Sequence, residues 1–262
     1  GNCLGSPTVF MDASTISSNN INSWRWDFGD GVGTSGMEDT TYTYLAAGTY
    51  DVKLIVGTLD GCSDSLTKKV IINDLPTVDA GMDVTICNTD STTIGGIPMT
   101  STTGGVTYAW SPATDLSSTT ISNPVAKPTA TITYTVVVTE TATGCTSTDD
   151  VTVTVDPIPT VDFTFMGTCL TSPTVFMDAS TITTNNINSW RWDFGDGVGT
   201  SSMKDTTYTY LAAGTYDVKL IVGTTDGCSD SLTKQVIIAP IPTVDFTFTG
   251  NCLGSPTDFM DA

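Results

Sequence analysis

The sequence predicts an all-β protein in which several β-sandwich domains follow one another along the chain. Short runs of alternating apolar and polar residues are separated by turn residues, and this pattern is typical of strands. No stretch shows a convincing helical periodicity. The chain also repeats itself at a fixed period, which is typical of a linear array of small domains.

The internal repeat defines the predicted domains. Residues 1–72 align with 167–238 without a gap, and 64 positions are identical because only eight of the 72 differ (72 − 8 = 64). Gly250–Thr257 repeats the letters of Gly1–Thr8 at an offset of 249 residues, which is three periods of 83. The sequence between the first two copies is different but also fills one period. We therefore predict four segments, which are 1–73, 74–156, 157–239 and the partial 240–262.

Each repeat contains recognisable strands. In the first repeat, Trp24, Trp26 and Phe28 alternate with polar residues, so the three rings face one side of a strand. The apolar positions of Tyr50–Val56 form a second such face, and Asp60-Gly61 predicts a hairpin turn before the next strand. The middle repeat behaves alike, with predicted strands at Val84–Ile86, Thr107–Trp110, Thr133–Thr139 and Val151–Val155.

The first repeat lacks an opening strand that the later copies carry. This strand reads Val-Asp-Phe-Thr-Phe at Val161–Phe165 and again at Val244–Phe248. Two explanations stay open. A segment before Gly1 supplies the strand, or residues 241–248 of a neighbouring molecule complete the first domain by donor-strand exchange.

The cysteines recur at regular positions. In each repeat one cysteine follows the first strand and another follows the last hairpin turn, with separations of 62 − 3 = 59, 145 − 87 = 58 and 228 − 169 = 59. This spacing predicts one disulfide within each repeat, and disulfides indicate an oxidising compartment. Cys252, the seventh cysteine, is expected to pair beyond Ala262. The predicted pairs are Cys3–Cys62, Cys87–Cys145 and Cys169–Cys228.

The composition argues against several functions. Acidic residues outnumber basic ones by 28 to 9, and a net charge of −19 repels nucleic acid. The chain has no histidine, the commonest general base. No run of eighteen apolar residues is present, so no segment is expected to insert into a membrane. We therefore predict a structural protein that is not an enzyme and has no cofactor, with the calcium site discussed below as the exception.

Several motifs carry a family resemblance. Trp26–Gly31 and Trp192–Gly197 both read Trp-Asp-Phe-Gly-Asp-Gly, and the first is followed by Tyr42–Tyr44 and Gly48–Val52. These residues resemble PKD domains, an immunoglobulin-like β-sandwich family. The middle repeat resembles immunoglobulin-like repeats of large secreted proteins of Bacteroidota, through three motifs: Tyr108–Pro112, Asn123-Pro124 and Thr133–Val136.

The whole arrangement is similar to giant adhesins exported by the type IX secretion system, including gliding-motility adhesins. This resemblance implies a secreted, extracellular, cell-surface location and a role as a fibre, filament or adhesin stalk. The implied partners are neighbouring repeats, other copies of the chain, and surface glycans or proteins. PKD domains also occur as spacers in secreted hydrolases, so a non-catalytic spacer, or a calcium- or carbohydrate-binding module, is the alternative.

The glycine-rich motif carries two carboxylates, Asp27 and Asp30, which recur as Asp193 and Asp196. Paired carboxylates in a turn are typical of a calcium site. The spacing lacks the oxygen-rich loop and the terminal bidentate Glu of an EF-hand. The sequence therefore favours a structural function, in which the aspartates accept backbone hydrogen bonds while the glycines adopt positive φ, and calcium binding is the alternative.

A second short pattern predicts modification. Asp followed by Ser or Thr and then an apolar residue or Thr resembles the acceptor used in Bacteroidota O-glycosylation. Glycans at such positions would shield strand edges. The candidate acceptors are Thr40, Ser65, Ser91, Thr206 and Ser231.

Overall fold

The computed structural model describes residues 2–17, 20–96, 105–184, 186–249, 253–254 and 256–261. Every helix or strand assigned in these ranges is a β-strand, which confirms the predicted all-β class. The chain divides into two compact units, Gly1–Val155 and Asp156–Ala262. The boundaries of the four predicted repeats stay a prediction.

The strands of residues 2–156 are short except for two long hairpins. They are β1 (Asn2–Cys3), β2 (Thr8–Phe10), β3 (Ile21–Asp27), β4 (Thr34–Ser35), β5 (Thr40–Tyr42), β6 (Gly48–Thr58), β7 (Ser63–Asn73), β8 (Val84–Cys87), β9 (Thr92–Thr93), β10 (Val106–Ser111), β11 (Val125–Ala126), β12 (Ile132–Glu140) and β13 (Thr146–Asp156).

Two separate cores lie within this unit. A five-stranded sheet, β1-β7-β6-β3-β4, and the pair β2-β5 surround the first core. The sheet β10-β12-β13-β8 and the pair β9-β11 surround the second. The largest buried side chains of the first core are Trp26, Phe28 and Tyr44, and those of the second include Trp110 and Tyr134.

The second unit repeats the architecture of the first core, with β14 as an added strand and an isolated parallel bridge, Cys169–Ala239, in the place of β1. Its strands are β14 (Phe163–Met166), β15 (Thr174–Asp178), β16 (Ile187–Asp193), β17 (Thr200–Ser201), β18 (Thr206–Tyr208), β19 (Gly214–Thr224), β20 (Ser229–Ile238), β21 (Phe246–Thr249) and β22 (Asp258–Asp261). The sheets β17-β16-β19-β20 and β14-β15-β18 enclose a third core, and β21 pairs with β22.

Alternation along β19 shows why this sequence forms a half-buried strand. Val218, Leu220 and Val222 are fully buried, while Asp217 and Lys219 between them are exposed. Successive side chains of a strand point to opposite faces, so this spacing places one apolar face on the core and one polar face in solvent.

Candidate functional sites

The position of Cys3 excludes the predicted pairing with Cys62. Cys3 lies in β1, which runs parallel to β7 and pairs with Asn73, whereas Cys62 directly precedes Ser63 at the opposite end of β7. These two ends are ten residues apart (73 − 63 = 10), or about 33 Å along a strand. A disulfide requires Cα atoms within about 7 Å. The same topology recurs in the second unit, where Cys169 bridges Ala239 in parallel and Cys228 precedes β20.

Cys3 is instead bonded to Cys145, with a Cα–Cα distance of 5.6 Å. Cys87 and Cys228 are also disulfide-bonded, whereas Cys62 and Cys169 are free and exposed. The predicted pairs Cys3–Cys62, Cys87–Cys145 and Cys169–Cys228 are therefore wrong. The sequence spacing showed that the cysteines recur at fixed positions in each repeat. It did not show that the two cysteines of one repeat lie at opposite ends of the sandwich, where Cys3 meets a cysteine of the next sandwich instead.

The Cys3–Cys145 disulfide connects two cores that pack independently. Cys3 belongs to the sheet that contains β7, and Cys145 directly precedes β13 of the second sheet. The cross-link spans 142 positions of the chain and therefore encloses most of the first unit. It constrains the junction between two sandwiches rather than the interior of one.

The acidic turns are held by hydrogen bonds within the turn. Asp193 accepts a bond from the Gly195 backbone N–H at 3.0 Å, and Asp196 accepts bonds from the N–H groups of Val198 and Gly199 at 3.1 and 2.8 Å. The Tyr208 hydroxyl donates to the other carboxylate oxygen of Asp196. These carboxylates thus satisfy backbone donors that a turn would otherwise leave open.

The first copy of the turn has the same geometry. Asp27 accepts from the Gly29 N–H at 3.0 Å, and Asp30 accepts from the N–H groups of Val32 and Gly33 at 3.0 and 2.8 Å. The Tyr42 hydroxyl donates to Asp30 at 2.5 Å. No group of three or more Cys, Asp or Glu side chains in the described ranges is arranged to hold a metal ion. Calcium binding by Asp27, Asp30, Asp193 and Asp196 stays a prediction.

A row of four aromatic rings in contact connects the turn to the core. The Phe194 ring stacks on Tyr208 at 4.2 Å, Tyr208 meets Tyr210 edge-on at 5.0 Å, and Tyr210 lies 4.2 Å from Tyr216. The buried Tyr210 hydroxyl donates to the Phe194 carbonyl at 3.0 Å. The motif residues therefore have a packing function, because each ring has an apolar contact and each buried hydroxyl has a partner.

The Asp196–Tyr208 pair predicts the pH range of stability. Burial raises the pKa of Asp196, but hydrogen bonds from Tyr208 and the turn outweigh it and leave that pKa below its usual 3.8. The bond to Asp196, with burial, raises the pKa of Tyr208 from 10.0 to about 12. The pair therefore stabilises the fold fully between pH 3.8 and pH 10, which are the ordinary pKa values of the two groups. This contribution is lost as pH falls below 3.8 through the folded pKa of Asp196, and as pH rises from 10 towards 12.

We expect melting temperatures measured by circular dichroism to be level between about pH 5 and pH 9 and to fall on both sides. The Tyr208→Phe variant retains the ring but removes the phenol, so its decline above pH 10 should be smaller than that of the unmodified chain. An identical alkaline decline in both proteins would contradict this assignment.

Substitution by alanine should destabilise the fold by different amounts at two glycines of the turn. Gly195 has φ +77° and its added Cβ would lie 2.6 Å from the Asp217 carbonyl oxygen, whereas Gly197 has φ +83° and open space around that position. Gly197→Ala should cost about 1–2 kcal/mol from left-handed backbone strain. Gly195→Ala should cost about 1–3 kcal/mol more because of the clash. Urea unfolding of both variants measures the difference, and equal midpoints would refute it.

The candidate glycan acceptors differ in accessibility. Ser65, Ser91 and Ser231 are exposed, whereas Thr40 and Thr206 are half-buried in paired strands. If the predicted modification occurs, glycans should therefore be found mainly on the three serines. Intact-mass and peptide analysis of protein from its native source tests this, and a mass equal to the bare polypeptide would dispose of the modification.

Together these features define a tandem immunoglobulin-like β-sandwich protein with disulfides and a structural acidic turn. The chain belongs to the PKD domain family, whose PKD domain profile matches residues 3–72 and 157–239. No curated protein matches the sequence.

Several solved structures are similar. The PKD1 domain of the Vibrio cholerae metalloprotease PrtV is 31% identical, with 31% of this chain and 96% of that chain covered and a TM-score of 0.29. Three N-terminal domains of the Highly Immunogenic Outer Capsid protein of bacteriophage RB49 are 10% identical, with coverages of 90% and 93% and a TM-score of 0.40. An I-band fragment of titin is 13% identical, with coverages of 92% and 94% and a TM-score of 0.40.

Proposed function

We propose that this chain is a structural repeat region of an extracellular cell-surface fibre, filament or adhesin stalk, without a catalytic centre of its own. The observation that carries this proposal is the Cys3–Cys145 disulfide, which links two independently packed cores. PKD domains and disulfides are both typical of extracellular proteins. Across the described ranges, the structure contains no helix long and apolar enough to cross a membrane.

The Cys3–Cys145 disulfide determines which part of the chain carries a pulling force. When the chain is pulled from its two ends, the disulfide provides a direct covalent path from Cys3 to Cys145 that bypasses residues 4–144. While the bond is intact, the first sandwich apart from Asn2–Cys3 lies outside this path, whereas β13 (Thr146–Asp156) of the second sandwich follows Cys145 and remains within it. The same bond restricts rotation at the Leu75-Pro76 connection, where proline already limits the backbone. Resistance to extension and bending is the property that a stalk requires.

Single-molecule pulling of the chain by its termini tests this mechanism. The disulfide spans 142 positions, so loss of this bond should release roughly 50 nm of additional contour length at about 3.5 Å per residue. Reduction also breaks the disulfides of Cys87 and Cys228 and should release at least as much. The Cys145→Ser variant should show the longer contour without reductant. Equal contour lengths in the oxidised and reduced protein would refute the load-bearing function of the bond.

The cell-surface assignment needs a separate experiment. Antibodies raised against the purified chain should label intact cells of the source organism, and electron microscopy should show the label along projecting fibres. Label confined to the culture medium would overturn the stalk and favour the spacer of a secreted hydrolase.

A further inference from the structure

Aspartate followed by glycine occurs at four places in the chain, and the fold holds these pairs in two different environments. Asp30-Gly31 and Asp196-Gly197 lie in the acidic turns, whereas Asp60-Gly61 and Asp226-Gly227 lie in the hairpins that join β6 to β7 and β19 to β20. This dipeptide has a chemistry of its own, because glycine has no Cβ to hinder its backbone nitrogen. That nitrogen can therefore attack the carboxyl group of the aspartate before it.

The first hairpin pair lies at an exposed tip. The Thr58 N–H donates to the Cys62 carbonyl at 2.9 Å and closes the hairpin, and Asp60 and Gly61 lie beyond this bond and are exposed. Among the described residues, none except its chain neighbours lies within 4 Å of the Cβ position of Gly61. The Gly61 N–H donates to the Thr58 carbonyl at 3.0 Å, so this bond at the exposed tip has to open before the nitrogen reacts.

The second copy of the hairpin has the same geometry. The Thr224 N–H donates to the Cys228 carbonyl at 2.9 Å, and the Gly227 N–H donates to the Thr224 carbonyl at 3.1 Å. Asp226 and Gly227 are exposed, and Gly227 has φ +87°. Both copies thus present an exposed aspartate–glycine pair at a hairpin tip.

The acidic turns hold the same dipeptide through its carboxylate. The Asp30 carboxylate accepts hydrogen bonds from two backbone N–H groups and from the Tyr42 hydroxyl. The Asp196 carboxylate accepts the three corresponding bonds, the last of them from Tyr208. The Tyr42 ring stacks on Phe28 at 4.1 Å, which fixes the position of the hydroxyl donor. Attack on Asp30 would break these bonds, because its carboxyl carbon has to turn towards the next backbone nitrogen.

The charge of the Asp30 carboxylate acts in the same direction. The carboxyl group loses one oxygen as water in this reaction, and its protonated form loses that oxygen more readily than the carboxylate does. Hydrogen bonds from Tyr42 and Gly33 hold the pKa of Asp30 below its usual 3.8, although burial opposes them. The protonated fraction of Asp30 at neutral pH is therefore smaller than that of an ordinary aspartate.

We propose that Asp60 and Asp226 are sites of spontaneous modification, at which aspartate converts to isoaspartate through a succinimide, and that the acidic turns protect Asp30 and Asp196. The modification needs no enzyme and no oxidant. It does not depend on the proposed stalk function, since the contrast lies between two turns of the same sandwich.

The conversion at Asp60 has two steps that balance with water alone. The Gly61 nitrogen bonds to the side-chain carboxyl carbon of Asp60, the carbon–hydroxyl bond breaks, and the hydroxyl leaves as water with the proton of the nitrogen. The succinimide ring then takes up one water. Opening at the side-chain carbonyl restores aspartate, whereas opening at the main-chain carbonyl leaves the peptide linkage on the side chain. The isoaspartyl chain therefore has the same mass as the original chain.

The altered linkage adds one methylene to the main chain at the hairpin tip. The register of β6 with β7 ends at Gly57↔Ser63, outside the altered peptide bond. The open space around the Cβ position of Gly61 gives the longer loop room. We therefore expect the folded chain to tolerate the modification with little change in melting temperature.

Ageing of the folded full chain at neutral pH tests the proposal. Peptide mapping with electron-transfer fragmentation distinguishes isoaspartate from aspartate at each of the four pairs. The two copies give different peptides, because Leu59 beside the first hairpin pair corresponds to Thr225, and Glu38 beyond the first acidic turn corresponds to Lys204. Each site can therefore be followed separately in one sample.

Isoaspartate should accumulate at least about tenfold faster at the two hairpin aspartates than at the two acidic-turn aspartates, because releasing even one hydrogen bond to a charged group costs about that factor. The same chain in urea is the first control, since unfolding removes the contacts and the four sites should then react at similar rates. Tyr42→Phe is the matched variant. It keeps the stacked ring but removes the hydroxyl donor, so isoaspartate should form faster at Asp30 and at an unchanged rate at Asp196.

The Asp60→Glu, Asp226→Glu double variant provides a second readout, because glutamate keeps the charge but would have to close a larger ring. An isoaspartyl methyltransferase with labelled S-adenosylmethionine should label the aged original chain strongly and the aged double variant weakly. The proposal is overturned if the four pairs react equally in the folded chain, or if Asp30 and Asp196 react first. It is also overturned if the hairpin aspartates react in urea but stay unmodified in the folded chain.

Discussion

Replacing Cys3 with serine is expected to lower the free energy of unfolding of the oxidised chain by on the order of 4 kcal/mol. The Cys3–Cys145 bond closes a loop of 142 positions, and closing a long loop removes much of the conformational entropy of the unfolded chain. Urea unfolding monitored by circular dichroism measures the change. Reduction of the unmodified chain should produce a larger loss, because it also breaks the disulfides of Cys87 and Cys228.

The matched control is Cys169→Ser. Cys169 occupies the same position of the other PKD copy, but its thiol is free, so this variant should unfold at the same urea concentration as the unmodified chain. If the two serine variants lost equal stability, the effect would come from local packing around the cysteine rather than from the cross-link.

The second large effect is expected from Trp192→Ala, which should destabilise its sandwich by about 3–5 kcal/mol. Trp192 is 0% exposed, and its ring lies 5.1 Å from Phe163 and 5.6 Å from Phe176. Its indole N–H donates to the Met203 carbonyl at 2.9 Å. Removing the side chain leaves a cavity in a closed core, together with an unpaired carbonyl oxygen.

Trp26→Ala provides the comparison within the same chain. Trp26 is the sequence counterpart of Trp192, but it lines a cavity of about 750 Å³ and is 6% exposed. Water can enter the space left by the missing ring, so the loss should be clearly smaller. Hydrogen exchange of β3 and β16 resolves the two sandwiches separately. Equal losses at the two positions would mean that the cavity beside Trp26 does not weaken the first core.

Part of the fold and of the acidic turn could be predicted from the sequence. The alternation of Trp24, Trp26 and Phe28 predicted a strand, and these residues lie in or directly after β3. The Trp-Asp-Phe-Gly-Asp-Gly motif indicated the PKD family, and the family profile matches both copies. Asp30 was predicted to cap the turn, with calcium binding as the alternative, and the structure gives it three hydrogen-bond donors, including the distant Tyr42. Tyr42 lies twelve residues from Asp30, so the local sequence around the turn did not predict this hydrogen bond.

The sequence by itself determined the all-β class, the repeats and the position of each cysteine, because these depend on local alternation and on spacing along the chain. Only the tertiary structure decided which cysteines meet. The parallel pairing of β1 with β7 places Cys3 at the end of the sandwich opposite Cys62, and no one-dimensional spacing encodes strand direction.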